Sequence, residues 1–148
     1  MPSRRPPARS ASPPVEVLSG SLLAGARRNM AFRRVLATGR HTQLVAMALG
    51  PGEDIGQETH RAVEQVFFVL AGHGVATVSG RRKLLRPGDA LVVPPGHRHN
   101  VANTGKRAWL KLLTVYSPPN HLPGRVHRTK QDAVSDDADE AFGRRVGG

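Results

Sequence analysis

The residues of this chain with the clearest chemical pattern form two blocks between Gly52 and Asn103. In the first block, a glycine is followed after five residues by Glu-Thr-His, after four more by glutamine, and after six more by glycine. The second block reads glycine, five residues, Pro-Pro-Gly, two residues, histidine, three residues and asparagine. The members are Gly52, Glu58, His60, Gln65 and Gly72, then Gly88, Pro94, Gly96, His99 and Asn103. Carboxylate, amide and imidazole groups are ligands of divalent metals, so the pattern predicts a metal-centred pocket.

Four of these side chains are the candidate metal ligands. Residues two apart in a strand face the same side, so Glu58 and His60 are predicted to point together into a barrel. Gln65 begins the next predicted strand, and His99 begins a later one just after the Pro-Pro-Gly turn. Glu64 is a rival to Gln65 as an oxygen donor, but the six-residue spacing to the following glycine favours Gln65.

Short β-rich runs separated by turn residues are predicted to position these ligands. From Phe32 onward the pattern is typical of an all-β sandwich or barrel. The predicted runs are Phe32–Thr38, Gln43–Leu49, Glu53–His60, Gln65–Leu70, Val75–Ser79, Lys83–Arg86, Ala90–Val93, His99–Asn103 and Trp109–Tyr116. Residues 1–14 are predicted to be a disordered basic tail rich in Pro, Ser and Arg, residues 15–130 the folded domain, and residues 131–148 an acidic tail or short helix.

Composition limits the class of protein. A chain of 148 residues can bury one core. Its lack of cysteine excludes disulfides and thiol nucleophiles. The net charge of +11 is concentrated in residues 1–40, which carry +7, and few aromatic residues could stack on bases. We therefore expect no nucleic acid partner. No apolar run is long enough to cross a membrane, and no signal peptide is apparent, which favours a cytoplasmic location.

The two blocks resemble the motifs of the cupin superfamily, whose members fold as double-stranded β-helix (jelly-roll) barrels. The second block matches that family's second motif at every position. The first block departs twice from the usual His-x-His and Glu pattern, with Glu58 at the first histidine and Gln65 at the glutamate. The resemblance extends over about Gln43–Tyr116 and is to small single-domain bacterial members. It implies an all-β cupin barrel in which Glu58, His60, Gln65 and His99 occupy the four metal positions.

The altered ligand set keeps one anionic donor but replaces one imidazole by oxygen. Harder donors favour Mn²⁺ or Fe²⁺, while Zn²⁺ or Ni²⁺ also fit. A cupin that has lost its metal would also fit this sequence. His121 follows Ser117-Pro118-Pro119, on a segment that could close over the barrel mouth or simply pack as an extension. Glu58 and His121 are the candidate groups for moving a proton.

Three functions fit this pattern. The first is a metal-dependent isomerase or epimerase acting on a sugar, a sugar phosphate or another small polar molecule. The second is an Fe²⁺-dependent dioxygenase, and the third is a non-enzymatic sensor that binds a small ligand. The resemblance further implies a homodimer that pairs through residues around Phe32–Leu49.

Overall fold

Nine strands form two antiparallel sheets within residues 20–147, which are the residues that the computed structural model describes. The predicted tail over residues 1–14 lies outside the described residues. The larger sheet has the order β6-β3-β8-β2-β1-β9 and the smaller the order β5-β4-β7. In chain order the elements are α1 (Leu22–Arg28), β1 (Arg33–Thr38), β2 (Gln43–Leu49), β3 (Glu64–Ala71), β4 (Gly74–Val78), β5 (Arg81–Leu85), β6 (Ala90–Val93), β7 (His99–Ala102), β8 (Leu110–Ser117), β9 (Val126–His127), α2 (Lys130–Val134) and α3 (Asp137–Gly147).

The core contains the inward-facing side chains of both sheets. Phe67 of β3 and Leu112 of β8 are completely buried, as is Val101 of β7 in the smaller sheet. Burying a side chain of this kind stabilises the fold by about 1.5–3 kcal/mol relative to leaving it exposed. The all-β jelly-roll barrel predicted from the sequence is therefore confirmed, with three short helices added to it.

The same alternation places a row of polar side chains inside the larger sheet. Gln43 of β2 pairs in register with Tyr116 of β8, which pairs in turn with Gln65 of β3. Each of these side chains is at most 1% exposed. Buried polar groups need hydrogen-bond partners, so this row must be part of a polar network at one end of the barrel.

The predicted strand Glu53–His60 is wrong. This segment makes only two isolated bridges to β7, from Asp54 to Ala102 and from Glu58 to His99. Gly56 has a φ of +88°, a left-handed conformation that interrupts an extended strand. The segment is therefore an irregular connection that runs antiparallel along β7, at the edge of the smaller sheet.

The chain after β8 folds back over the barrel. β9 pairs with the start of β1, and α2 and α3 then occupy the region predicted as an acidic tail or short helix. Thr129 begins α2 with a capping box, in which its hydroxyl accepts from the Asp132 N–H and the Asp132 carboxylate accepts from the Thr129 N–H. Asp136 similarly accepts from the Asp139 N–H at the start of α3. These caps define where both helices begin.

The strands proposed for a homodimer contact are already paired within the chain. β2 lies between β8 and β1, and β9 covers the first residues of β1. The homodimer therefore stays a prediction. Of the helices in residues 20–147, none is long and apolar enough to span a membrane.

Candidate functional site

Three of the four predicted metal ligands bring their donor atoms together at one end of the barrel. Glu58 and His60 lie on the irregular segment before β3, and His99 begins β7. The His60 Nε2 lies 3.2 Å from the Glu58 Oε2, and the His99 Nε2 lies 3.9 Å from that same oxygen. One donor atom from each residue fits within a group whose members are all less than 4.8 Å apart. This spacing is suited to a single cation.

Gln65, the fourth predicted ligand, borders this group. Its Oε1 lies 3.1 Å from the His99 Nε2, and its amide nitrogen donates to the Thr114 hydroxyl at 3.0 Å. Glu64, the rival donor, is exposed on the other face of β3. Because side chains alternate between the two faces of β3, Gln65 points into the barrel and Glu64 points away from it, as the spacing to Gly72 predicted.

The protonation of His99 determines what these atoms can bind. Its Nδ1 lies 2.9 Å from the backbone oxygen of His97, which can only accept, so Nδ1 carries a proton. Burial lowers the pKa of His99, which favours the neutral ring. The Nε2 is then a lone pair that faces the Gln65 Oε1 and the Glu58 Oε2 with no proton between them. The His99 Nε2 lone pair and the Gln65 Oε1 are then two acceptors directed at each other, a mismatch that a bound cation would remove, so these residues fit a divalent metal. The Glu58 Oε2 is hydrogen-bonded to the His60 Nε2, which would release its proton on binding a metal.

The charge on Glu58 is stabilised by its neighbours. Burial by itself raises the pKa of Glu58, but the hydrogen bond with His60 and the positive charge of Arg33 outweigh it and hold the pKa below its ordinary value. The Arg33 Nη2 lies 3.8 Å from the Glu58 Oε1. Glu58 is therefore anionic at neutral pH.

A cavity of about 490 Å³ adjoins this group. Glu58, His60 and Arg33 contribute to its wall from the barrel, and His121 and residues of α2 and α3 contribute from the C-terminal segment. His99 lines a separate recess of about 160 Å³. The group of candidate ligands therefore borders both spaces, with Glu58 and His60 lining the larger cavity and His99 the smaller recess.

His121, the other candidate for moving a proton, lies in the wall of the larger cavity. Its Nδ1 is 2.8 Å from the Asp139 Oδ2, and the other oxygen of Asp139 accepts from the Leu122 N–H at 2.7 Å. Burial lowers the pKa of His121 despite the Asp139 charge, which favours a neutral ring with its proton on Nδ1. The His121 Nε2 is buried and has no hydrogen-bond partner. His121 thus carries an unused basic nitrogen beside the metal group.

Two neighbours fix the position of His121. The ring of Tyr116 packs edge-on against it with centroids 4.9 Å apart, and it also lies 6.1 Å from the ring of His60. The Gln43 side chain donates to the His121 carbonyl at 2.7 Å and accepts from the N–H groups of Asn120 and His121. The segment after β8 is therefore anchored to the barrel wall.

Sequence reasoning missed Arg33, Gln43 and Asp139. Arg33 and Gln43 stand at buried positions of predicted strands that otherwise alternate apolar residues inward, and such polar residues were an available signal. Asp139 belongs to a charged segment with no distinguishing pattern, so the sequence offered no comparable signal.

A second group of possible ligands, His127, Asp136 and Asp139, lies between β9 and the last helix. Each carboxylate oxygen already accepts a hydrogen bond or ion pair from the chain, the donors being Arg125, His127, His121 and backbone N–H groups. We therefore interpret this group as an internal network that holds the C-terminal helices.

Known proteins similar to this chain support the fold. The family model described as "Cupin domain" matches residues 45–116. The crystal structure of BH2720 from Bacillus halodurans is 37% identical, with a TM-score of 0.78, and the match covers 81% of this chain and 95% of that one.

Curated relatives match over shorter parts of their length. YrkC of Bacillus subtilis is 44% identical over 115 residues, which cover 74% of this chain and 61% of the relative. An oxalate-binding protein of Thermotoga maritima is 30% identical over 69 residues, covering 47% of this chain and 56% of the relative. The chain thus spans about three fifths of the length of these two relatives.

Proposed function

Because the chain belongs to the cupin superfamily, we propose that its barrel binds a divalent metal ion and acts on a small polar molecule in the adjoining cavity. Glu58, His60 and His99 would hold the metal, with Gln65 as a fourth, neutral ligand. One carboxylate, one amide oxygen and two imidazoles favour Mn²⁺ or Fe²⁺ over softer metals. The Thermotoga maritima relative is named as an oxalate-binding protein, which supports a small oxygen-rich ligand.

One observation carries the metal proposal. The His99 Nδ1 donates to the backbone of His97, so its Nε2 lone pair must face the oxygens of Gln65 and Glu58. A hydrogen bond from a ring nitrogen to the backbone is the usual way in which a protein orients a metal-binding histidine. The orientation of the His99 ring therefore supports the proposed metal site.

We propose that His121 is the general base. A divalent metal in this site would act as a Lewis acid on an oxygen of the bound molecule. Glu58 is occupied by its contacts with His60, His99 and Arg33, so it is less suited to shuttle protons. His121 lines the same cavity, and the Nδ1 bond to Asp139 keeps the lone pair on its buried Nε2. His121 can accept a proton there and return it, as isomerisation or epimerisation of a hydroxy-carbonyl compound requires.

Metal binding is the first test. We expect the purified protein to bind about one Mn²⁺ or Fe²⁺ per chain. Loss of a residue that only hydrogen-bonds to a metal ligand usually weakens metal binding by about 10- to 100-fold, and we expect Glu58→Gln and His99→Gln to weaken it further than that. His97→Gln is the matched control, because the His97 side chain is exposed and contacts Ser79 instead. Equal metal affinity in Glu58→Gln and His97→Gln would contradict the proposed site.

The reaction is tested with the metal-loaded protein. Wash-in of solvent deuterium at the carbon beside the carbonyl of hydroxy-carbonyl compounds, followed by NMR, is expected in the wild type and lost in His121→Gln. Oxygen consumption without wash-in would instead identify a dioxygenase. Metal-dependent ligand binding with neither reaction would identify a sensor.

A further inference from the structure

Arg33 is a buried cation on the floor of the cavity that the proposed reaction does not use. The residue is 6% exposed. Its Nε is buried without a hydrogen-bond partner, and its Nη2 is 3.8 Å from the Glu58 carboxylate, which is longer than a hydrogen bond. A buried guanidinium normally has its donors paired with acceptors. The side chain of Arg33 also contacts Tyr116, but its Nε–H still lacks the acceptor that a bound anion could supply.

The other basic residues of the cavity are already paired with acids. Lys130 forms an ion pair with Asp54, and Arg144 lies 3.5 Å from Glu140 within α3. Both pairs are at the rim, where the side chains of Lys130 and Arg144 are 40% and 71% exposed. Among the described arginine and lysine residues that line the cavity, Arg33 is thus the buried one, and it could bind a ligand that is shielded from solvent.

A metal at the proposed site would change the charge balance around Arg33. The divalent cation would bind the Glu58 carboxylate, and the Asp139 carboxylate already accepts hydrogen bonds from His121 and from the Leu122 N–H. Metal, Glu58, Arg33 and Asp139 together then carry a net charge of about +1. A single carboxylate would neutralise that charge, whereas a phosphate dianion would reverse it. A planar carboxylate also matches the fork of donors on a guanidinium.

We propose that Arg33 binds the carboxylate of the substrate, and that the cavity takes small α-hydroxy or α-oxo carboxylates in preference to neutral sugars or phosphates. This inference rests on the proposed metal site. The hydroxyl or oxo oxygen on the α-carbon would approach the metal, and the carboxylate would contact Arg33. The proposal makes Arg33 a specificity-determining residue of that site.

The experiment measures ligand binding to the Mn²⁺-loaded protein by calorimetry. Glycolate is the probe, glycolamide is its neutral counterpart, and inorganic phosphate tests the competing anion. The variants are Arg33→Gln and Arg33→Lys, with Arg144→Gln as the matched control at the rim. Mn²⁺ affinity and thermal unfolding are measured first for each variant.

We expect glycolate to bind more tightly than glycolamide and phosphate. Arg33→Gln should weaken glycolate binding by about 10- to 100-fold, the usual effect of losing a hydrogen bond to a charged group. Arg33→Lys should lose part of the glycolate affinity, because lysine keeps the positive charge but not the planar pair of N–H donors of the guanidinium. This variant replaces Arg33→Gln in the test if Arg33→Gln does not fold. Arg144→Gln should bind glycolate as the wild type does.

The outcomes separate this inference from the proposed function. Normal Mn²⁺ binding with glycolate affinity unchanged in both Arg33 variants would overturn the role of Arg33 and leave the metal site intact. Tighter binding of phosphate than of glycolate would overturn the ligand class. A wild-type protein that binds no Mn²⁺ would overturn both proposals together.

Discussion

Gln43 makes four hydrogen bonds, and its replacement offers a test of how the His121 segment is held. The side chain is completely buried. Its nitrogen donates to the His121 carbonyl at 2.7 Å and to the Thr38 hydroxyl at 3.0 Å, and its oxygen accepts from the N–H groups of Asn120 and His121 at 3.1 and 3.0 Å. Gln43→Met keeps the length of the side chain and removes all four bonds.

The magnitude follows from the three backbone groups left without a partner. An unsatisfied buried donor or acceptor costs about 1–3 kcal/mol, so we expect the loss of three partners to lower the free energy of unfolding by about 3–9 kcal/mol. At about 2–4 °C per kcal/mol for a chain near this size, even the lower figure should reduce the melting temperature by roughly 6–12 °C. Urea and thermal unfolding of the metal-free protein measure both quantities.

The control is Gln131→Met, which removes an exposed bond between the side chains of Gln131 and Ser135. It should change the free energy of unfolding by no more than about 0.5 kcal/mol, as exposed substitutions usually do. If Gln43→Met were no more destabilising than this control, the segment would not be held by these bonds. The reasoning that places His121 in the cavity wall would then fail.

Two further predictions concern the backbone and the pH dependence of stability. Gly72→Ala should strongly destabilise the fold, because the added Cβ would lie 2.3 Å from the Trp109 carbonyl oxygen. Gly52 has a similar φ but open space around it, so Gly52→Ala should lower the free energy of unfolding by only about 1–2 kcal/mol. Chemical denaturation of both variants measures the difference. The folded pKa of His121 is lowered, so the unfolded chain binds a proton first as pH falls below about 6.5. As the pH is lowered from 7 toward the folded pKa, the free energy of unfolding should therefore fall by up to about 1.4 kcal/mol per pH unit. In urea titrations at several pH values, His121→Gln should reduce that slope. An unchanged slope would show that His121 is not buried as a neutral ring.

The fold could be predicted because turn residues and strand alternation are local signals. Gly88 comes just before β6 and the Pro-Pro-Gly turn just before β7, and the continuous apolar runs of β2 and β3 identify buried strands. The error at Glu53–His60 arose where a glycine with positive φ breaks an otherwise extended run. The sequence could not indicate that Asp139 approaches His121, since that contact depends on how α3 packs against a distant part of the chain.

The two departures from the usual cupin motif can be explained by one electrostatic arrangement. Position 65 is completely buried between Thr114 and His99, so a carboxylate there would depend on the bound metal alone for a compensating charge. Glutamine satisfies that position with a neutral amide. At position 58 the side chain is 25% exposed and lies 3.8 Å from Arg33. Moving the single negative charge from 65 to 58 therefore links the proposed metal ligand to Arg33, so that a cation bound by Glu58 would free Arg33 to bind an anion.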